Sequence, residues 1–392
     1  MTAAPPRAAP GLPLLFFAAA AAPMGMNILL PALVAIGAAF SAPAPAVQLT
    51  VTIYLVGYAI VQLVVGPLAD RFGRRPVLVV SFVLFLAGSI AATLAPTLEA
   101  LVWARALQSI GGCAALVVPR AVVRDLYTGP AAIHGMTRVT MAVTATPALA
   151  PLVGSAMLMA FGWRGVFGFC AAYSAVLLVL ILRGFGETLA PAQRTGDAIG
   201  QLAVRYGKLL ATPRYLGYAA NFACQGAGFL LFVAFAPILV IRDLGVGAQG
   251  YGLLHLLLGL LVIAGNFLAP SLARRFTLER VLLAGSLVCV AAFGTLLALS
   301  GELSLARLVL PMLVYAIANG VIFPLAITGA TGVDPRAIGT AAALLGSVQM
   351  GYGATVVFIA GRIDLDGAMP LAGVGLASAV LGTVALLLVR RP

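Results

Sequence analysis

Arg105 and Gln108 are the residues of this sequence best placed to do chemistry, because they stand one helical turn apart about two turns inside an apolar stretch. An arginine at the centre of a membrane helix costs about 2.5 to 3.5 kcal/mol to insert, so one kept there is expected to hold a polar or anionic group. The other reading is that its long stem lets the guanidinium reach the membrane surface. Asn221 with Gln225, and Tyr315 with Asn319, are each four residues apart and share a helix face. Such pairs either offer hydrogen bonds to a solute or tie neighbouring helices together, the latter worth only about 0.6 kcal/mol on average. Proton chemistry has fewer candidates. His255 lies in an apolar stretch and titrates near neutral pH when unperturbed, although a lone histidine also serves as a packing residue. All 11 Asp and Glu residues fall in polar loops or at the ends of apolar stretches.

Hydrolytic and metal chemistry lack their parts. There is no His-Glu-x-x-His, no Gly-x-Ser-x-Gly and no pair of aspartates in mid-stretch. The two histidines, His134 and His255, are far apart, so neither a metal nor a cofactor is expected, and no enzyme activity. Cys113, Cys170, Cys224 and Cys289 lie singly in apolar stretches and read as small core residues.

The elements that must position these side chains follow from composition. Of 392 residues, 62% are hydrophobic and 9% charged, with a mean hydropathy of +1.11; a soluble domain carries about 25% charge. Apolar stretches long enough to cross a core of about 30 Å recur near residues 12–36, 48–68, 76–95, 99–123, 136–160, 163–183, 215–241, 250–272, 280–300, 305–330, 337–360 and 369–389. Each is continuous rather than alternating, which favours helices over a barrel. The fold class is therefore an all-α membrane protein of twelve transmembrane helices. The first stretch is long and contains Asn27, and it is expected to stay in the mature chain rather than be cleaved as a signal peptide.

The net charge of +12 does not point to nucleic acid, because the basic residues sit at helix ends and not in a basic domain. With both termini cytoplasmic, most arginines, including Arg7, Arg71, Arg74, Arg75, Arg120, Arg124, Arg138, Arg336, Arg390 and Arg391, fall on the cytoplasmic side. Only Arg105, Arg164, Arg242, Arg307 and Arg362 remain for the other side. A polar stretch with Glu187, Gln193, Arg194 and Asp197 divides the chain into an N-terminal bundle (1–186), a cytoplasmic linker (187–212) and a C-terminal bundle (213–392). Leu68, Ala69, Phe72, Val77 and Leu78 are echoed by Leu272, Ala273, Phe276, Val281 and Leu282 at the equivalent loop of the second half, as a duplicated six-helix unit would leave them.

Within that frame, the loop Gly66-Pro67-Leu68-Ala69-Asp70-Arg71-Phe72-Gly73-Arg74-Arg75-Pro76 resembles the loop between the second and third helices of the major facilitator superfamily. Gly66 and Gly73 permit tight backbone geometry, and Asp70 can pair with basic groups or a helix N-terminus. Arg105-Ala106-Leu107-Gln108, followed by Pro119-Arg120 and Arg124-Asp125, resembles the fourth helix of the Bcr/CflA type drug-resistance transporters, within the twelve-helix drug:proton antiporters. Pro147 to Gly154, with Trp163-Arg164, resembles their fifth-helix motif, and Pro147 and Pro151 should bend that helix. Ile338-Gly339-Thr340-Ala341 matches at the eleventh helix in pattern only.

The resemblance implies two pseudo-symmetric six-helix bundles, a monomer in the inner membrane, and alternating access for efflux of small amphipathic or drug-like molecules, with protons as a possible partner. It implies a cavity lined by the first, fourth, seventh and tenth helices, which would take in Asn27, Arg105, Gln108, Asn221, Gln225, Tyr315 and Asn319. It implies gating by Gly66, Asp70, Arg71, Gly73, Arg74, Arg120, Arg124, Asp125, Pro147, Pro151 and Gly154. There are departures. Asn27 stands where the family usually has an aspartate and cannot release a proton, and Ser155 replaces a second glycine. A weakly coupled carrier of an anionic or polar metabolite through an Arg105-lined cavity is thus an alternative, with His255 as the remaining candidate for coupling.

Overall fold

The computed structural model describes residues 10–191, 194, 199–334, 337–363 and 367–389. Arg7, Gln193, Asp197, Arg336, Asp364, Asp366, Arg390 and Arg391, used above in the charge and linker readings, lie outside the described residues. Among the described residues, eleven helices are long and apolar enough to cross a membrane. One of them, α6 (Gly129–Gly184), has 56 residues, about 80 Å at 1.5 Å per residue, far more than one crossing needs. It breaks at Gly162, whose backbone (φ 68°, ψ −175°) no helix accepts, and so supplies two spans. The twelve expected crossings follow.

The first span is not one straight helix. α1 (Leu12–Asn27) passes through a 3-10 turn (Leu30–Ala32) into α2 (Leu33–Ala39). Pro31 has no N–H to return to the Asn27 carbonyl, and Ala32 bonds instead to Leu29 at 2.8 Å. α3 (Ala44–Phe72), α4 (Arg74–Thr93) and α5 (Leu98–Leu126) follow, then α6. A short helix, α7 (Ile199–Leu210), lies in the stretch read above only as a linker. Then come α8 (Pro213–Pro237), which winds on as a π-helix to Asp243, α9 (Gly247–Arg275), α10 (Leu278–Ala298), α11 (Leu305–Thr331), α12 (Ile338–Ala360) and α13 (Met369–Val389).

Packing divides these helices into two groups. α1, α3, α4, α5 and α6 pack on one another, and α8 to α13 on one another, with α8 enclosed by α11, α12 and α13. The echoed leucines, Leu78 and Leu282, are both fully buried in the first turns of α4 and α10. Between the groups run two seams, α3 against α12 and α6 against α9. The outer surface is apolar, with Phe267 80% and Phe161 70% exposed, as lipid requires.

Candidate functional site

Arg105 projects from α5 into the middle of the first bundle and is completely enclosed. Its Nε donates to the Thr50 carbonyl of α3 at 3.2 Å, and one terminal nitrogen donates to the Gly25 carbonyl of α1 at 2.8 Å and to Gln108 Oε1. The guanidinium lies 4.2 Å from the Tyr54 ring centroid and within 5.9 Å of Phe167, at cation–π range. Every partner is neutral, and the second terminal nitrogen has none. Gln108 passes the contact on, its Nε2 donating to Ser89 Oγ at 2.8 Å and Ser89 in turn to the Phe85 carbonyl at 2.7 Å, so α5 is tied to α4. Arg105 therefore does not reach back to the surface.

The second bundle carries a parallel arrangement. Asn221 on α8 donates to Ser286 Oγ of α10 and to the Gly382 carbonyl of α13, both at 2.9 Å. Gln225 donates to the Ala379 carbonyl at 3.1 Å. From α11, the Tyr315 hydroxyl and the Asn319 amide, the latter at 3.1 Å, both donate to the main-chain carbonyl of Gln225. In each half, then, a polar side chain of the fourth span donates to a carbonyl of the first. The seven residues expected to line a cavity are Asn27, Arg105, Gln108, Asn221, Gln225, Tyr315 and Asn319. All are buried and bond inside their own half, because an amide or guanidinium in an apolar interior must be satisfied by protein. Asn27 folds back on its own helix, donating to the Pro23 carbonyl at 2.8 Å. The side-chain oxygens of Asn27, Asn221 and Gln225 find no donor.

The loop read as Gly66 to Pro76 is shorter than expected. Residues 66–72 are the last turns of α3, and Gly73 alone leaves the helix (φ 101°). A Cβ on Gly66 would meet nothing, so tight geometry is demanded at Gly73 and not at Gly66. Directly after the turn, Arg74 is buried between two carboxylates, Asp70 of α3 and, at 2.9 Å, Asp125 at the end of α5. Glu187, unremarked as a site residue in the sequence, accepts the Arg74 and Arg75 amides at 2.9 and 3.2 Å and pairs with Arg194 at 3.9 Å. Arg71 stacks on its neighbour Phe72. Among the described residues, neither the half-buried Arg120 nor the exposed Arg124 joins this network.

On the seams, small residues let backbones approach. On the α6–α9 seam a Cβ at Gly259 would overlap Ala148, and inside the first bundle a Cβ at Gly154 would overlap the Ile28 carbonyl just before the proline break of the first span. Ser155 Oγ lies 2.8 Å from the Pro151 carbonyl and 2.7 Å from the Ala248 carbonyl across the seam, a contact that the glycine usual in the family could not make. Pro147 and Pro151 lie within α6 without ending it. On the other seam Ser347 donates to the Ala59 carbonyl at 2.7 Å, and Gln62 packs on Gly346. Sequence reading passed over Gln62, Ser347 and Gln349, although polar residues in apolar stretches were the signal used elsewhere. His255 of α9 is buried, with Nδ1 3.4 Å from the Tyr251 hydroxyl and Nε2 unpartnered. A cleft lined by Arg214, Tyr218, Glu279 and Thr328 opens at the arginine-rich end, away from both buried clusters.

Known proteins fit this frame. The chain is 30% identical over 368 residues, 93% of its length and 91% of the relative's, to the uncharacterized MFS-type transporter YdgK of Bacillus subtilis (strain 168). It is 28% identical over 83% of its length, and 82% of the relative's, to multidrug resistance protein D of Escherichia coli (strain K12). Its fold superposes on the crystal structure of a D-xylose-proton symporter with a TM-score of 0.76, covering 97% of this chain and 96% of that one at 16% identity, a likeness of fold alone. The family model of the major facilitator superfamily matches residues 15–357. The chain belongs to the major facilitator superfamily.

Proposed function

We propose that this chain exports small amphipathic or drug-like molecules by alternating access, its N-terminal bundle (1–186) and C-terminal bundle (213–392) rocking about two seams and joined by a linker at 187–212. The observation that carries the reading is the similarity to multidrug resistance protein D over most of both chains. The two-seam packing supports the motion, since two bundles that meet mainly along α3–α12 and α6–α9 can tilt without rebuilding either core. In the orientation inferred from the arginines, both termini and the Gly73 turn face the cytoplasm of a bacterial-type inner membrane. The Ser155 to Ala248 contact then lies near the outer mouth, so this conformation has that mouth drawn together. The Arg74, Asp70, Asp125 and Glu187 network is read as the cytoplasmic gate, which the arginines at Arg71, Arg120 and Arg124 surround with positive charge.

A second reading has its own observation. Arg105 is enclosed with neutral partners, and every described Asp and Glu lies at a helix end or in a loop, so its charge is not balanced by a carboxylate in the membrane. An uncompensated buried cation favours an anionic or electron-rich solute and weak dependence on protons. Susceptibility of cells with and without the gene, measured over lipophilic cations, neutral amphiphiles and organic anions, tests both. Protection against several amphipathic compounds supports export, protection confined to anions supports the second reading, and no change in any class contradicts both. Transport by proteoliposomes with and without an imposed pH gradient then separates the coupled from the uncoupled carrier.

A further inference from the structure

α7 and α3 meet at a place that helix chemistry singles out. Within α3, Pro67 lacks the N–H that would bond to the Leu63 carbonyl, so that carbonyl has no helical donor. The Tyr206 hydroxyl of α7 supplies one, donating to it at 2.7 Å. The match is selective. In α1, α5, α6 and α11, the carbonyls of Ala19, Ala115, Val143 and Gly320, each four residues before a proline, receive no side-chain donor among the described residues.

The rest of α7 is built to be held there. Leu202 and Leu209 are buried and Tyr206 is half-buried, at i, i+4 and i+7, while Arg205 and Lys208 face outward. The same helix packs on α12 and α8 of the second bundle. It thus bridges the α3–α12 seam at the arginine-rich end, nearly three turns of α3 from the Gly73 turn. Burial pushes the Tyr206 phenol up to about 12, so it stays a donor at all physiological pH values.

We propose that Tyr206 is a positioning residue for transport: it fastens the inter-bundle helix α7 to the carbonyl that Pro67 leaves open in α3, and so holds the α3–α12 seam in the arrangement seen here. The proposal rests on the alternating-access reading for its consequence but not for the fastening itself. The bond is made in this conformation, so its loss lowers the share of molecules that adopt it. Phenylalanine keeps the ring and removes only the donor. Alanine at position 67 restores an N–H to the helix, which satisfies the Leu63 carbonyl from within and makes the hydroxyl redundant.

The test compares wild type, Tyr206→Phe, Pro67→Ala and the double variant, reading amide hydrogen exchange of α7 and distances between spin labels at Ala131 and Arg280. Tyr206→Phe is expected to speed α7 exchange and to shift the ratio of the populations with short and long label distance by about three- to tenfold, the range for one net hydrogen bond. In the Pro67→Ala background the same substitution should change each by less than about twofold. Unchanged α7 exchange in Tyr206→Phe overturns the proposal, as does an effect undiminished by Pro67→Ala, which would place Tyr206's action elsewhere. Altered exchange with an unaltered population ratio overturns its role in transport. A wild-type protein with one label distance under every solute and gradient contradicts alternating access instead, while the exchange readout still decides whether Tyr206 fastens α7.

Discussion

At the scale of single residues the account turns on Arg105, a permanent cation held by carbonyls and rings. A lysine in its place is a compact charge without the planar fork that reaches Thr50, Gly25 and Gln108 together. Arg105→Lys is therefore expected to lower transport at least about tenfold, since losing a charge-assisted bond costs about 1.5 to 3 kcal/mol. Uptake by proteoliposomes checks it. Gln108→Ala removes the relay to Ser89 and should destabilise the first bundle by about 1 to 2 kcal/mol, read as a lowered unfolding temperature in detergent. Asn27→Asp places a titratable group on α1 two residues from the Gly25 carbonyl that Arg105 engages. Transport by that variant is expected to gain dependence on a pH gradient, and unchanged pH behaviour would remove Asn27 from any coupling route.

At the scale of elements, the places where helices break matter more than their lengths. Gly154 lies against the Ile28 carbonyl, and α6 can approach the proline break of the first span only without a side chain there. Gly154→Val should therefore force α6 off the first span, and overpacking of this kind costs about 1 to 3 kcal/mol; reduced yield of folded protein and lost transport are the expected readings. Most of the elements were legible in the sequence, because a continuous apolar run of about 20 residues has few other interpretations. The Gly66 to Pro76 loop was read too long, since a basic and glycine-bearing stretch does not reveal that a helix persists to Phe72. α7 was missed although Leu202, Tyr206 and Leu209 recur at helical spacing; the polar residues around them made the stretch read as linker. The buried amides were found as residues but not as bonds, because which carbonyl each one meets is decided by packing between helices far apart in sequence.

At the scale of the whole molecule, two bundles of like design meet along two seams, and the first bundle carries a network of charges at its arginine-rich end. Removing one carboxylate from that network, as in Asp125→Asn, leaves Arg74 with the half-exposed Asp70 alone. The expected result is a shift in the share of molecules with the arginine-rich mouth open, and slower transport, with little loss of overall stability. The family was legible from its resemblance at the Gly66 to Pro76, Arg105 to Gln108 and Pro147 to Gly154 stretches, while the cargo was not, since cavity specificity is spread over many apolar side chains and no single residue encodes it. The central claim is that the two mouths open in turn. It is tested most directly by measuring, in liposomes, the distance between labels at Pro96 and Gln249 at one mouth and between Ala131 and Arg280 at the other, with and without transported solute. The account predicts that one distance lengthens as the other shortens, and solute movement with both distances fixed would contradict it.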